Sequence, residues 1–201
     1  MASVAVDPAA TRAFRDARAF EAWLAEHHAS ADALWLKIHK KDSGRPTVTY
    51  AEALDAALCW GWIDGIRKGF DAESFVQRFT PRRARSVWSA VNREHVARLV
   101  AAGRMTEHGL ARVAAAKADG RWDAAYAPMR TASAEGLPAD LLVAIAAEPK
   151  AQAMLARLTR QNLFALAYRT NAMKTPAGRA RKVAALAAML ARGETVVPQK
   201  A

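Results

Sequence analysis

The chain has 201 residues, a single cysteine and a formal net charge of +11. This length allows one large domain or two small ones, with a core that needs no disulfide or structural metal. The lone Cys59 excludes an internal disulfide framework and a cysteine-rich zinc site. We therefore expect Cys59 to be a buried thiol, and we expect no metal and no cofactor.

Two further features bear on the location of the protein. No stretch approaches the roughly 20 apolar residues that span a bilayer, which predicts a protein without a transmembrane segment. The first residues lack the charged and apolar regions of a signal peptide. We therefore predict a cytoplasmic protein.

The N-terminal half alternates helical and extended patterns. Apolar residues at helical spacing, strict alternation and turn residues mark its segments. Thr49 and Glu52 match a capping box at the start of one helix. The predicted elements are a helix over 11–28, a strand over 34–39, a helix over 50–59, and strands over 62–67 and 74–79. The sequence thus predicts an α+β fold with a small antiparallel sheet and packed helices.

The remainder of the chain is predominantly helical. Thr80 followed by Pro81 is typical of an N-cap and first helical residue, which predicts a helix ending near Gly103. Further helical patterns follow from Thr106, interrupted by a mixed stretch over 121–136 that contains Pro128 and a polar segment interpreted as a linker. We predict an α+β domain over 11–130 and an all-helical C-terminal region over 138–197.

Three motifs resemble one known family. They are TYAEALDAALCWGWIDG at 49–65, QRFTPRRARSVWSAVNREHVARLVAAGRM at 77–105 and AAAKADGRWDAAY at 114–126. They are similar to the YdeI/OmpD-associated family, also called bacteriocin-protection proteins, over about 20–198. The segment over about 138–193 resembles that family's helical OmdA-type region. The resemblance implies a role in envelope stress and in tolerance of bacteriocins or cationic peptides, and it implies no particular reaction.

The candidate site combines the Trp-Gly-Trp corner with the arginine-rich segment that follows. A helix start rich in arginine would be an anion pocket, because free N–H groups and guanidinium groups point the same way. We predict binding of an anionic ligand or a protein partner. The predicted ligand-binding residues are Trp60, Trp62, Asp64, Arg78, Arg82, Arg83, Trp88 and Asn92. The structural alternative is that Arg82, Arg83 and Arg85 pair with Asp64, Asp71 and Glu73.

Two other functions stay open. A continuous basic face would bind nucleic acid, although the tryptophans lie in apolar contexts and make this less favoured. That face would comprise Lys40, Lys41, Arg67, Lys68, Arg82 and Arg83. An enzyme would need a site around Asp64, but no nucleophile motif is present, so a binding protein is favoured. Trp122 and Tyr126 either pack a helix onto the sheet or form a pocket wall.

Overall fold

The structure is a computed structural model that describes residues 5–8 and 10–199. These residues form two compact units: the N-terminal unit ends at Ala125 and the C-terminal unit begins at Tyr126. The N-terminal unit holds a four-stranded sheet with packed helices, and the C-terminal unit is helical. The predicted α+β fold class is confirmed. The limits 11–130 and 138–197 stay predictions.

The N-terminal unit contains four strands and four α-helices among its described residues. They are β1 (Thr11–Ala13), α1 (Ala17–His27), β2 (Leu34–His39), α2 (Tyr50–Cys59), β3 (Trp62–Gly69), β4 (Ser74–Pro81), α3 (Ala90–Ala101) and α4 (Glu107–Ala118). The sheet order is β1-β2-β4-β3, in which β1 is parallel to β2 and the other neighbours are antiparallel.

The first helix begins later than predicted. Thr11 lies opposite Trp35 in the parallel ladder, so the start of the segment predicted as helix is a short strand. Asp16 then caps α1, because its Oδ1 accepts the Ala19 backbone N–H at 2.8 Å. Hydrogen bonding to β2 therefore overrides the helical spacing of the apolar side chains at this end.

Helix α2 lies between two hydrophobic clusters. One face joins the sheet core, where the alternating residues of β2 meet Phe20, Trp62 and Phe79. The other face brings Leu54 and Leu58 into a second cluster with α3 and α4. Seven of its ten residues are buried. A helix enclosed in this way orients every side chain that it carries, including polar ones.

The helix predicted to run from Pro81 to near Gly103 forms only in its second part, over Ala90–Ala101. Pro81 and Thr80 lie opposite Trp62 and Ile63, so both belong to β4. The next helix, α3, begins at Ala90, and its cap is Ser89, whose side chain accepts the Asn92 backbone N–H at 3.1 Å. The predicted anion pocket at a helix start carrying Arg82 and Arg83 is therefore wrong.

The C-terminal unit is built from four α-helices in its described part. They are α5 (Ala139–Ala146), α6 (Pro149–Leu155), α7 (Arg160–Asn171) and α8 (Pro176–Ala191). Leu141, Ile145, Leu166 and Leu190 are central to its core. Across the described part of the chain, no helix is both long and apolar enough to cross a membrane.

Candidate functional site

The segment between β4 and α3 is anchored by Arg82. Its backbone N–H donates to the Gly61 carbonyl at 2.9 Å, and its Nη1 donates to the Val87 carbonyl at 3.0 Å. Its guanidinium lies 3.7 Å from the ring centre of Trp88. Arg82 is only 2% exposed, so a buried cation holds this segment against the Trp-Gly-Trp corner.

A second indole continues this arrangement. The rings of Trp88 and Trp122 meet edge to face at 4.9 Å. Arg93 and Lys117 lie 5.3 Å and 5.5 Å from the Trp122 ring centre. We call the five residues Arg82, Trp88, Arg93, Lys117 and Trp122 the basic–aromatic cluster. Three cations around two indoles make this a region of positive potential with partly exposed aromatic surface.

The acids expected to neutralise the arginines have other partners. Asp71 pairs with Lys37 at 3.0 Å, and Glu73 pairs with Arg45 at 3.4 Å. Asp64 accepts the Tyr50 hydroxyl at 2.7 Å. The predicted alternative, in which Arg82, Arg83 and Arg85 pair with these three acids, is wrong for the described residues. Each acid is neutralised or hydrogen-bonded locally, which leaves the positive charge of the arginine segment in place.

The arginines of this segment are not balanced by acidic residues. Residues 74–93 contain five arginines and no acid. Arg83 and Arg85 are exposed, and Arg78 and Arg93 are half-buried. Within the part of the chain that the structure describes, none of these four forms an ion pair. The surface of this segment therefore carries a surplus of guanidinium donors.

The Trp-Gly-Trp corner has a structural explanation. Gly61 has φ +72°, and an added Cβ would meet Arg112 Cγ and the His108 carbonyl oxygen, each at 3.0 Å. Trp62 is fully buried in the sheet core, where its Nε1–H donates to the His28 carbonyl at 3.1 Å. Trp60 is half-buried and stacks on His108 at 5.6 Å. The corner therefore positions Arg82, while the Trp62 ring belongs to the core.

The other predicted site residues lie on elements next to this corner. Arg78 lies in β4 opposite Trp35, and Asp64 lies in β3 opposite Phe79. Asn92 occupies the first turn of α3 and is half-buried. The structure thus brings the two predicted segments into contact through backbone pairing and through the Arg82–Gly61 hydrogen bond.

Several cations predicted to form a nucleic-acid-binding face contact other parts of the protein. Lys40 Nζ donates to the Ala72 carbonyl at 2.8 Å. The Arg67 guanidinium lies 3.8 Å from the Phe75 ring centre. Arg82 is buried beneath Trp88. Three of the six predicted cations therefore have local contacts, and Arg82 is too buried to contribute to an exposed face.

Sequence reasoning missed a buried acidic centre. Asp55 lies in α2 and is 8% exposed. It accepts hydrogen bonds from Arg98 Nη2 at 2.7 and 2.8 Å, and His95 Nδ1 lies 2.8 Å from its Oδ1. Burial raises the pKa of Asp55, but the hydrogen bonds from Arg98 and His95 outweigh burial and hold its pKa below the ordinary value. The carboxylate therefore stays ionised and ties α2 to α3.

One signal in the sequence pointed to Asp55. It lies in the middle of the apolar helical run YAEALDAALC, where a charged side chain needs a buried partner. Its partner His95 lies 40 residues further along the chain, so no local pattern links the two.

Cys59 is a buried, free thiol. Burial raises the pKa of the Cys59 thiol to about 11, which keeps it protonated and unreactive at neutral pH. Gly109 lies against the Cys59 carbonyl, where an added Cβ would be 2.3 Å from the oxygen. Among the residues that the structure describes, no group of three or more His, Cys, Asp or Glu is placed to hold a metal ion.

The fold and the site define a basic α+β unit followed by a small helical unit, and comparisons with known families agree with this division. A family model described as a domain of unknown function (DUF8412) matches residues 12–112, just over half of the chain, and the chain belongs to that family. A second model, described as Bacteriocin-protection, YdeI or OmpD-Associated (OmdA), matches residues 136–193. The predicted resemblance to that family is confirmed in the C-terminal region.

Residues of about 20–198 resemble a single family in sequence, whereas two family models match the two parts of this range. Searches of curated proteins and of solved structures found no match to the chain.

Proposed function

We propose that this chain is a non-catalytic protein that binds an anionic ligand, or an anionic group on a protein partner, at residues 78–93. The observation that carries the proposal is the surplus of arginine in this segment. Five arginines occur there without an acid, and the nearby acids Asp64, Asp71 and Glu73 are engaged elsewhere.

The cluster geometry suits recognition of an oxyanion. Arg82 is buried and fixed by its carbonyl contact and by the face of Trp88, so it holds in place the backbone that carries Arg83 and Arg85. Arg83 and Arg85 follow on the exposed surface and present guanidinium groups of a shape that matches phosphate or carboxylate. A small ligand with several anionic oxygens would satisfy these donors together.

We further propose that the protein acts in the cytoplasm in tolerance of envelope stress or bacteriocins. The tolerance role is supported by the bacteriocin-protection family whose model matches residues 136–193. Cell fractionation tests the location. Survival of a deletion strain challenged with bacteriocins or cationic peptides, with and without the restored gene, tests the role.

A thermal-shift assay tests the anion site. The purified full chain is titrated with inorganic phosphate, pyrophosphate or ATP at low and physiological salt, since a ligand of the folded state raises the melting temperature. The double variant Arg83→Ala/Arg85→Ala should lose the shift. The matched control Arg12→Ala/Arg18→Ala removes two exposed arginines from elsewhere in the same unit and should keep it.

The pattern of melting-temperature shifts distinguishes a specific anion site from attraction by the net charge of the protein. A salt-resistant shift that Arg83→Ala/Arg85→Ala abolishes supports the site. A shift that both double variants reduce equally, and that salt removes, would assign the binding to net charge alone. No shift with any of the three anions would contradict a small-anion site.

A further inference from the structure

The C-terminal unit places its aromatic residues in an unusual way. It contains three aromatic residues, Tyr126, Phe164 and Tyr168. All three pack on one another, with ring centres 5.9 Å apart for Tyr126 and Phe164, 5.4 Å for Tyr126 and Tyr168, and 5.8 Å for Phe164 and Tyr168. Phe164 and Tyr168 are stacked, and Tyr126 meets both rings edge to face.

This aromatic trio lies outside the hydrophobic core. The buried cluster of the unit consists of leucine, isoleucine, valine and alanine side chains. Tyr126 and Tyr168 are 37% and 39% exposed, and Phe164 is half-buried. Aromatic rings usually contribute most when buried, so the exposure of Tyr126 and Tyr168 points to a use other than core packing.

The same unit is strongly basic. From Tyr126 to the end, the sequence has 11 lysines and arginines and 4 acids, so the unit carries +7 of the +11 net charge. Residues 149–193 contain nine of these cations and no acid. Asp140 and Glu194 are already paired with Arg179 and Arg192. A polyanion therefore complements the charge of this unit.

One cation shares a side of α7 with two rings, and a second cation, Arg169, follows Tyr168 directly in the chain. Arg160, Phe164 and Tyr168 are spaced by four residues, which places them along one side of the helix. Arg160 and Arg169 are exposed and form no ion pair among the described residues. The combination is an aromatic platform flanked by guanidinium groups.

We propose that this aromatic–basic surface binds single-stranded nucleic acid. Unpaired bases would stack on the exposed faces of Tyr168 and Tyr126, and Arg160 and Arg169 would contact the phosphates. A duplex offers no unstacked base to the rings. An anionic membrane would require a continuous apolar face, whereas α7 also exposes Gln161 and Asn171.

Fluorescence anisotropy of labelled oligothymidylate of about 12 nucleotides, with the full chain, tests the proposal. Tyr168→Ala should weaken binding by roughly 5- to 150-fold, the range expected for loss of one stacked base. Tyr168→Phe should bind as the wild type does, because it keeps the ring. Tyr168→Leu should behave as Tyr168→Ala does, because it keeps apolar area but offers no stacking face.

Two controls separate this surface from other effects. Tyr50→Ala removes a tyrosine of similar exposure, 37%, from the N-terminal unit and should leave binding unchanged. Arg160→Ala should weaken binding to all sequences and reduce the salt slope by about one. Circular dichroism melting of each variant checks that the fold is retained.

The outcomes are distinct. Binding to oligothymidylate that needs the Tyr168 ring supports the proposal. No binding at about 50 mM salt, equal affinity of Tyr168→Ala and wild type, or binding only to phosphatidylglycerol vesicles would overturn it. The two sites are tested with different variants and probes: Arg83→Ala/Arg85→Ala with phosphate, pyrophosphate or ATP, and Tyr168→Ala with oligothymidylate. The anion site can therefore fail while this surface holds, and the reverse.

Discussion

The two units place aromatic and charged residues in opposite ways. The N-terminal unit buries Phe20, Trp62 and Phe79 in its main core, and it buries two charged residues, Asp55 and Arg82. The C-terminal unit has an aliphatic core, and its buried polar residues are Asn162 and Thr170, which are uncharged. The first unit thus uses rings and charges to fix its structure, whereas the second leaves them at the surface where a partner can reach them.

This difference matters for how each unit would bind. A buried charge with fixed partners is costly to desolvate, and it selects one arrangement of the elements around it. Surface cations without acids cost little and attract any polyanion. The two proposals differ accordingly: a small anion beside the fixed Arg82 in the N-terminal unit, and a longer chain of charges on the surface of the C-terminal unit.

The largest expected difference comes from removing one ring from each unit. Trp62→Ala should destabilise the protein by about 3–5 kcal/mol, because it leaves a large cavity in the sheet core. Phe164→Ala should cost about 1 kcal/mol or less, because that ring lies outside the aliphatic core. Urea unfolding followed by circular dichroism measures both. Equal losses would break the comparison and assign the C-terminal rings a structural role.

Removing one acid from each unit should give the next largest difference. Asp55→Ala leaves His95 and Arg98 without their buried partner and should cost about 2–4 kcal/mol. Asp140→Ala breaks an ion pair with Arg179 whose members are both substantially exposed, so its loss should be much smaller. If the two variants unfold at the same urea concentration, the buried centre at Asp55 adds little to stability.

The contribution of Asp55 should depend on pH in a defined direction. Its pKa is held below the ordinary value of about 3.9, so its stabilisation is complete above that value and is lost as the pH falls through the folded-state pKa. The stability difference between wild type and Asp55→Asn should therefore be constant near pH 5 and shrink on further acidification. A difference that grows below about pH 4 would contradict this assignment.

The predictability of each feature follows from how far apart its interacting residues lie. Helix α2 was predicted with its observed limits because its cap is local: Thr49 Oγ1 accepts the Glu52 backbone N–H, and the Glu52 carboxylate accepts the Thr49 backbone N–H. The same kind of local signal at Thr80 and Pro81 failed because β3 pairs with both residues. The pairs Trp62–Pro81 and Ile63–Thr80 join residues 19 and 17 positions apart, which no short sequence window covers.

The candidate site was likewise predictable only where its interacting residues lie close together in the sequence. The arginine surplus is visible in the composition of residues 74–93, and the acids close to it in sequence suggested ion pairs. Those pairs did not form, because Lys37 and Arg45 come from distant parts of the chain to meet Asp71 and Glu73. The Asp55–His95 contact was missed for the same reason, since its members lie 40 residues apart.

The smallest expected effects come from two tyrosine hydroxyls, one in each unit. Tyr50→Phe removes the hydrogen bond to Asp64 and should cost about 0.5–1 kcal/mol, the low end for a hydrogen bond, because this one is exposed to water. Tyr168→Phe keeps the ring contacts with Phe164 and Tyr126 and should change stability by less than about 0.5 kcal/mol. Thermal melting of the two variants beside wild type measures this. A larger loss for Tyr168→Phe would mean that its hydroxyl, and not its ring, matters at that surface, which would count against stacking as the use of the aromatic trio.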